Sequence, residues 1–97
     1  MAKGYWVAHV DVDDMEEYRK YVAANAAPFA EYGARFLVRG GEYQVMEGSV
    51  RARTVVIEFD SYETALECYK SAGYEAAMKI RLPVSKGDLV VVKGYDG

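Results

Sequence analysis

Apolar and polar residues alternate from Tyr5 to Val12, which is the pattern of a β-strand with two different faces. One face is apolar and carries Trp6, Ala8, Val10 and Val12. The other face is mixed and carries Tyr5, Val7, His9 and Asp11. The pattern predicts a first strand whose two sides meet different surroundings.

The stretch from Arg53 to Phe59, RTVVIEF, is rich in β-branched and aromatic residues and predicts a strand buried on both faces. Glu58 interrupts this apolar run. A carboxylate in a buried strand is unfavourable unless it reaches an edge or meets a cation. The direction in which Glu58 points is therefore the main functional question that this strand raises.

Apolar residues recur at helical spacing after the first strand, over about Asp14–Tyr32. Asp13 is the expected N-cap of this helix, and Gly33 is the expected residue after its last turn. Pro28 lacks an N–H, and its ring clashes with the preceding turn. A kink or a break is therefore expected over Ala24–Ala27.

Two glycines predict a hairpin in the middle of the chain. Arg35–Arg39 is the expected second strand, and Gly40-Gly41 supplies the turn into an extended segment over Glu42–Glu47. Alternation divides the second strand into two faces, with Phe36 and Val38 on one and Arg35, Leu37 and Arg39 on the other. Residues 48–52 are expected to form a loop or bulge before the apolar strand.

The rest of the chain predicts two helices and a final strand. Ser61 is the expected cap of the second helix, and Ser71 caps a shorter helix that ends at Pro83. Lys86-Gly87-Asp88 then turns the chain into a last strand over Leu89–Lys93. The element order is β-α-β-β-α-β, the ferredoxin-like α+β arrangement, in which helices cover one face of an antiparallel sheet. All 97 residues are expected to form one such domain.

Composition narrows the class of protein. The chain is 52% hydrophobic and 28% charged, which is typical of a globular protein. Its net charge of -3 argues against nucleic acid or an anionic membrane as a partner. The lone Cys68 cannot form an intramolecular disulfide and fits a reducing compartment, and no apolar run reaches membrane-spanning length. A cytoplasmic location is therefore expected.

The sheet face that the helices leave open is predicted to be part apolar and part polar. Its expected members are Tyr5, Val7, His9, Arg35, Leu37, Arg39, Val56 and Glu58. Such a face is too apolar for water and too charged for an ordinary core. Either a second copy of the chain or a ligand could cover it, and two sheets could also pack together with a pocket between them. A homodimer is the expected assembly.

Three residues of this face, His9, Arg39 and Glu58, form the predicted active site. A carboxylate beside His9 favours the imidazolium, and Arg39 keeps Glu58 ionised, which gives an acid/base pair with an anion holder. His9 and Glu58 are the candidate catalytic residues, and Arg39, Tyr5 and Tyr43 are the candidate substrate-binding residues. The alternative is that Glu58 and Arg39 form a structural ion pair that His9 joins.

Neither a metal nor a cofactor is expected from the motifs in the sequence. One histidine and one cysteine do not make a protein zinc site. Gly40-Gly41 lacks the remaining glycines and the following helix of a dinucleotide-binding fingerprint. Any reaction would therefore be cofactor-free.

Several stretches resemble one protein family. They are Lys3-Gly4-Tyr5-Trp6, Tyr18 with Tyr21, GARFLVRGG over residues 33–41, VIEF over residues 56–59, and Ser71 with Tyr74. With these stretches the chain resembles the small bacterial proteins of the domain of unknown function 1330 family, DUF 1330, over nearly its whole length. The resemblance implies a dimeric α+β barrel, in which two ferredoxin-like sheets pack together. The wider structural kin of that family include antibiotic-biosynthesis monooxygenases, muconolactone isomerases and ligand-sensing domains of bacterial regulators. The family itself has no settled catalytic residues that could be assigned to this chain.

Three functions are compatible with these patterns. The first is a cytoplasmic homodimer with a small pocket at or beside the sheet interface, which binds and converts a small anionic or aromatic metabolite. The second is a noncatalytic module that binds or senses such a molecule. The third is a structural protein whose charged face specifies the register of the dimer. The residues leave open whether the protein is an enzyme.

Overall fold

The computed structural model describes residues 2–96, which form an antiparallel sheet with helices on one face. The strands are β1 (Gly4–Val12), β2 (Arg35–Arg39), β3 (Arg53–Phe59) and β4 (Ser85–Lys93). The helices are α1 (Met15–Ala24), α2 (Ala26–Glu31), α3 (Tyr62–Lys70) and α4 (Ala72–Arg81), and a 3₁₀ turn covers Leu82–Val84. The strand order is β2-β3-β1-β4, and each neighbouring pair is antiparallel. The predicted β-α-β-β-α-β ferredoxin-like fold is confirmed.

The core lies between the helices and the apolar face of β1, whose alternate residues are buried as predicted. Trp6 is at its centre and packs edge-on against the rings of Phe29 in α2 and Tyr74 in α4. The Nε1–H of Trp6 donates a hydrogen bond of 2.8 Å to the carbonyl of Ala65 in α3. A buried indole needs such an acceptor. One side chain thereby joins β1 to three helices.

Side-chain caps fix the starts of the helices. Ser61 and Ser71 cap α3 and α4 by accepting hydrogen bonds of 3.1 and 3.2 Å from N–H groups in the first turn, as predicted. Asp14 caps α1 in place of the expected Asp13. The N–H of Asp13 instead donates a hydrogen bond of 2.8 Å to the carbonyl of Val84, which holds Asp13 beside the start of β4.

The predicted break in the first helix is confirmed. Helix α1 ends at Ala24, and α2 begins at Ala26 after the single residue Asn25. Pro28 then lies in the first turn of α2, where its missing N–H costs no intrahelical hydrogen bond. Gly33, with φ of 68°, ends this region as expected. None of the helices in residues 2–96 has the length and apolar character needed to cross a membrane.

The predicted strand over Glu42–Glu47 does not form. The N–H of Gly40 donates a hydrogen bond of 2.8 Å to the carbonyl of Thr54, and β2 pairs directly with β3. Residues 41–50 leave the sheet and are exposed along their whole length. Their alternating pattern was misleading because no apolar layer of the same chain lies beside them to bury one face.

Strand β4 starts at Ser85, earlier than the expected Leu89. Lys86, Gly87 and Asp88, which the sequence suggested as a turn, pair with the second half of β1. This local turn signal is overridden because β1 offers a partner along the whole length of β4.

Candidate functional site

The open face of the sheet is built from rows of side chains that cross all four strands. The register places Val38, Val56, Val7 and Val90 in the central row, which we call the valine row. Its two outer side chains, Val38 and Val90, are 39% and 54% exposed. The valine row is therefore an apolar stripe on the face opposite the helices.

Glu58 lies in the next row and is neutralised by a cation. Its carboxylate accepts hydrogen bonds from Nε of Arg35, at 2.9 Å, and from the hydroxyl of Tyr5, at 3.3 Å. The hydrogen bond from Arg35 is the main reason why the pKa of Glu58 lies below its usual value. The predicted cation for Glu58 is thus present, but it is Arg35 and not Arg39.

His9 does not meet Glu58, contrary to the sequence prediction. Both side chains lie on the open face, but Glu58 pairs with Tyr5 whereas His9 pairs with Thr54. Tyr5 and His9 are four residues apart on β1, which corresponds to about 13 Å along a strand. The Nδ1 atom of His9 lies 3.1 Å from Oγ1 of Thr54. The predicted acid/base pair is therefore not assembled within one chain.

Arg39 lies on the opposite side of the sheet from His9 and Glu58. The register of β2 against β3 shifts between Phe36 and Val38, so that Leu37 is an additional residue in a β-bulge. Beyond the bulge Val38 points to the open face and Arg39 to the helix side, where its guanidinium lies 4.0 Å from the ring centroid of Phe36. The predicted position of Arg39 was wrong because strict alternation does not continue through a bulge.

A shallow depression of about 450 Å³ borders His9 on the open face. Its lining residues are His9, Asp11, Ser49, Val50, Arg51 and Asp88. Arg51 donates hydrogen bonds to Asp11, at 2.8 Å, and to Asp88, at 3.1 Å, so these charges already satisfy one another. Tyr43, a predicted pocket residue, is not part of this lining and lies 52% exposed in the segment over residues 41–50.

A second cavity, here called the helix-side cavity, lies between the sheet and the helices. Its apolar walls include Trp6, Ala8, Phe29, Phe36 and Ile57. The polar residues along it are Tyr18, Tyr21, Asn25, Arg39, Arg53, Arg81 and Asp88, of which Asp88 turns its carboxylate to Arg51 on the open face. The cavity volume is about 40 Å³, whereas one water needs roughly 10–15 Å³. The cavity therefore has room for a small group of atoms inside the fold.

Three arginines border the helix-side cavity without a carboxylate partner. Arg39, Arg53 and Arg81 form no salt bridge with any residue in the range 2–96. Arg81 is only 9% exposed, and its Nε, like that of Arg53, is buried with no hydrogen-bond acceptor in the same range. Buried donors without acceptors are unfavourable.

Two tyrosines of α1 hold two of these arginines near each other. The guanidinium of Arg53 lies 5.8 Å from the ring centroid of Tyr18, and that of Arg81 lies 5.5 Å from the ring centroid of Tyr21. The two tyrosine rings are 5.3 Å apart. Burial raises the pKa of Tyr18, whereas the positive charges of Arg53 and Arg81 oppose that rise. Both guanidinium groups therefore act on the same hydroxyl.

Arg53 and Arg81 were not among the residues that the sequence indicated for a site. The sequence could have indicated them, because each arginine lies at the same strand or helix spacing as residues that are buried. Arg53 shares the helix-facing alternation of β3 with the buried Ile57. Arg81 lies seven residues after the buried Tyr74, which places both on the same face of α4. A cation at such a position needs either a counter-charge or a ligand.

The described residues include no group of three or more His, Cys, Asp or Glu side chains placed to hold a metal ion. Cys68 is free and buried, and its burial raises the pKa of the thiol to about 12. The thiol is therefore protonated at neutral pH and is a poor nucleophile.

Solved structures share this fold at low sequence identity. A protein of unknown function from Rhodopseudomonas palustris has a TM-score of 0.77 and 15% identity, over 99% of this chain and 85% of its own. SnoaB, a cofactor-independent oxygenase from Streptomyces nogalater, has a TM-score of 0.66 and 12% identity, over 100% and 97%. A dimeric ferredoxin-like protein of unknown function from Thermobifida fusca has a TM-score of 0.61 and 16% identity, over 95% and 89%. These similarities show the fold alone.

Family membership rests on the sequence itself. No curated protein matches the chain. The family model described as "Domain of unknown function (DUF1330)" matches residues 3–95, a range that includes all four strands and all three arginines of the helix-side cavity. The stretches GARFLVRGG and VIEF, which suggested the resemblance, form β2 with its flanking turns and the end of β3. The chain therefore belongs to the DUF1330 family.

Proposed function

We propose that the protein binds a small organic molecule in the helix-side cavity, as a cytoplasmic homodimer whose sheets pack through the valine row. The observation that carries the proposal is a mostly apolar cavity whose lining also includes tyrosine, asparagine and arginine residues. Ligand pockets combine apolar walls with a few polar groups that orient the ligand. The free, buried Cys68 supports a reducing compartment.

Such a cavity differs from an ordinary packing defect. Protein interiors are densely packed, and the empty spaces that remain in them are apolar. Here Tyr18, Asn25 and the arginines are among the residues that line the space. Its volume of about 40 Å³ admits a ligand of a few heavy atoms.

Binding without catalysis is the first candidate function, as in a sensing module. The titratable side chains around the cavity are arginines and tyrosines, because the carboxylate of Asp88 lies on the open face and accepts a hydrogen bond from Arg51. A cofactor-independent conversion of the bound molecule is the second candidate. It is favoured by the likeness to SnoaB, and this is an analogy of fold.

The open face supports the homodimer. Val38 and Val90 are exposed in a single chain, and the valine row is flanked by polar rows that contain Glu58 on one side and His9 on the other. An apolar centre with a polar rim is the usual anatomy of an interface. A symmetric pair of chains would bury the valine row of one copy against that of the other. The neighbour from Thermobifida fusca is a dimeric ferredoxin-like protein, which supports a dimer for this fold.

Filling the cavity tests the proposed site. Ala8 is buried on its wall, so Ala8→Leu places a larger side chain inside it. We expect this variant to fold and to lose the rise in Tm that binding fragments produce in the wild-type protein. A ligand at about 100 times its Kd adds roughly 2.7 kcal/mol, and each kcal/mol raises Tm by about 4–8 °C in a chain of this size.

Ala23→Leu is the matched control, because Ala23 is exposed on α1. It makes the same chemical change away from both the cavity and the open face, and we expect it to bind as the wild type does. Fragment binding that survives in Ala8→Leu would place the ligand elsewhere and contradict the proposal.

A further inference from the structure

We infer that residues 42–47 of one copy, here called the arm, pair as an additional β-strand with the outer edge of β4 in a second copy. The inference rests on the proposed homodimer and adds the segment that each chain contributes to its partner. Two features that lack a partner within residues 2–96 carry it, namely the exposed arm and the free edge of β4. In a closed, symmetric pair each copy supplies what the other lacks.

The arm leaves the sheet and carries large apolar side chains into solvent. Tyr43 and Val45 are largely exposed, and Met46 is 82% exposed. No backbone hydrogen bond joins the arm to another part of residues 2–96. Free backbone groups and apolar side chains are the features with which a peptide segment adds to the edge of a sheet. In its own chain the arm has no such edge beside it.

Strand β4 presents a long unpaired edge. It is the last strand of the sheet, and β1 is its only neighbouring strand in residues 2–96. The N–H of Gly94 donates a hydrogen bond of 2.7 Å to the carbonyl of Lys3, in register with the pairing of β1 and β4. Hydrogen-bonded pairs alternate along an antiparallel ladder, so the N–H and C=O groups of Leu89 and Val91 face outward.

The edge of β4 lacks the features that usually prevent another strand from pairing. Natural edge strands carry prolines, bulges or charged side chains. Residues 89–92 are Leu-Val-Val-Val, and β4 pairs with β1 in continuous register. This part of the edge therefore has no proline, bulge or charge, and it suits an additional strand.

Charges near the ends of the two segments are complementary. The arm begins and ends with the carboxylates of Glu42 and Glu47, whereas Lys86 and Lys93 lie near the two ends of β4. Six residues placed opposite residues 87–92 bring each carboxylate within one residue of a lysine, in either strand direction. Exposed ion pairs contribute little to stability, but they favour this partner over one with an acidic edge.

The position of the arm allows it to reach a second copy. Ser49 and Val50, which follow the arm, line the depression beside His9 on the open face. The arm is therefore connected to the side of the sheet through which the copies are proposed to pack. Sheets packed face to face lie about 10 Å apart, whereas five extended residues span roughly 16 Å. The arm is long enough to cross that distance.

Pairing would also extend the valine row. Val90 and Val92 of β4 point to the open face, because they pair with Val7 and Tyr5 of β1. In the strand conformation Tyr43 and Val45 share one face of the arm. Added beside β4, that face would continue the apolar stripe of the partner by one strand. The exposed apolar side chains of both segments would then be buried in the same interface.

Isotope-filtered NOEs in a mixed dimer test the pairing. Labelled and unlabelled protein are mixed, so that only contacts between copies are recorded. We expect NOEs from Tyr43 and Val45 of one copy to residues 89–92 of the other. Amide exchange gives a second measurement, because the outward N–H groups of Leu89 and Val91 are expected to exchange at least roughly tenfold more slowly in the dimer than after dilution to the monomer.

Two proline substitutions supply matched variants. Proline removes the backbone N–H, and the N–H groups of neighbouring strand residues point to opposite edges. We expect one of Gln44→Pro and Val45→Pro to raise the Kd of the dimer roughly 5- to 100-fold, and the other to leave it within about threefold. Both monomers are expected to unfold at the wild-type temperature, because the arm has no backbone hydrogen bond to the rest of residues 2–96.

Each outcome decides between the alternatives. A wild-type monomer would overturn both the inference and the proposed homodimer. A dimer without NOEs between the arm and β4 would overturn the role of the arm and leave the valine row as the interface. A mass that grows beyond two copies with concentration would overturn the closed pair. Equal weakening of the dimer by both proline substitutions would contradict strand pairing.

Discussion

Gly40 shows how one residue without a side chain shapes the candidate site. Its φ of 67° lies in the left-handed region, where glycine is favoured. A Cβ at this position would meet the guanidinium of Arg53. The backbone at the end of β2 and the arginine of the cavity therefore depend on the same glycine.

Gly40→Ala is expected to destabilise the protein and to displace Arg53. The left-handed backbone alone costs a residue with a side chain about 1–2 kcal/mol. The collision with the guanidinium of Arg53 adds to this loss, and thermal unfolding measures the total. Gly41→Ala is the matched control, because Gly41 has an ordinary backbone conformation and nothing within 4 Å of the added Cβ. Equal effects of the two substitutions would contradict the assigned contact.

Glu58 makes acid stability a test of the open face. Its pKa is lowered in the folded protein, chiefly by the hydrogen bond from Arg35, so the unfolded chain takes up the proton first as the pH falls. The stabilisation is present above the ordinary carboxyl pKa of about 4 and is lost as the pH falls through the lower folded-state value. We expect Glu58→Gln to have a lower Tm than the wild type at neutral pH, with a difference that shrinks towards acid pH.

Glu42→Gln is the comparison for this pH series, because Glu42 lies in the exposed segment over residues 41–50. Its unfolding curves should follow those of the wild type across the whole range. A constant difference between Glu58→Gln and the wild type, unchanged from neutral to acid pH, would contradict the ion pair with Arg35.

Strand β2 shows where a one-residue irregularity changes the chemistry of a face. The bulge at Leu37 moves Val38 into the valine row and turns Arg39 towards the helices. Without the bulge, Arg39 would lie on the open face. The sequence could not indicate this, because a bulge depends on how two strands pair and none of the five residues in β2 requires it.

The elements that were predicted correctly depend on local chemistry. Pro28 dictates a helix interruption wherever the rest of the chain lies, and Ser61 and Ser71 cap helices with their own hydroxyls. The segment over Glu42–Glu47 was predicted wrongly because an alternating segment forms a strand only where a neighbouring apolar layer buries one of its faces. The arginines of the cavity were missed because their positions also depend on contacts between distant elements, here the packing of α4 against the sheet.

The whole fold separates two surfaces with different proposed roles. The helix side of the sheet holds the cavity and its arginines, which have no carboxylate partner within residues 2–96, whereas the other side presents the valine row. Residues of β3 serve both, because Arg53 and Ile57 face the cavity while Val56 and Glu58 face outward. Assembly and ligand binding are therefore expected to respond to different substitutions on the same strand.

Val90→Lys is expected to convert the proposed dimer into a monomer. Val90 is 54% exposed in one chain, so a lysine there costs the folded chain little, but a second copy packed on the valine row would bury its charge. Light scattering after size-exclusion chromatography measures the mass. Leu82→Lys is the matched control, since Leu82 is 57% exposed and lies in the turn before β4. A wild-type monomer, or a dimer that survives Val90→Lys alone, would contradict the role of the valine row.

The most direct test of the ligand site is a set of intermolecular NOEs between the protein and a bound fragment that raises its Tm. We expect the protons of this fragment to show contacts with Trp6 and Phe36, which line the helix-side cavity. Contacts with Val7 and Val90 instead would place the ligand on the open face of the sheet. That result would contradict the central claim that the helices and the sheet enclose the binding site.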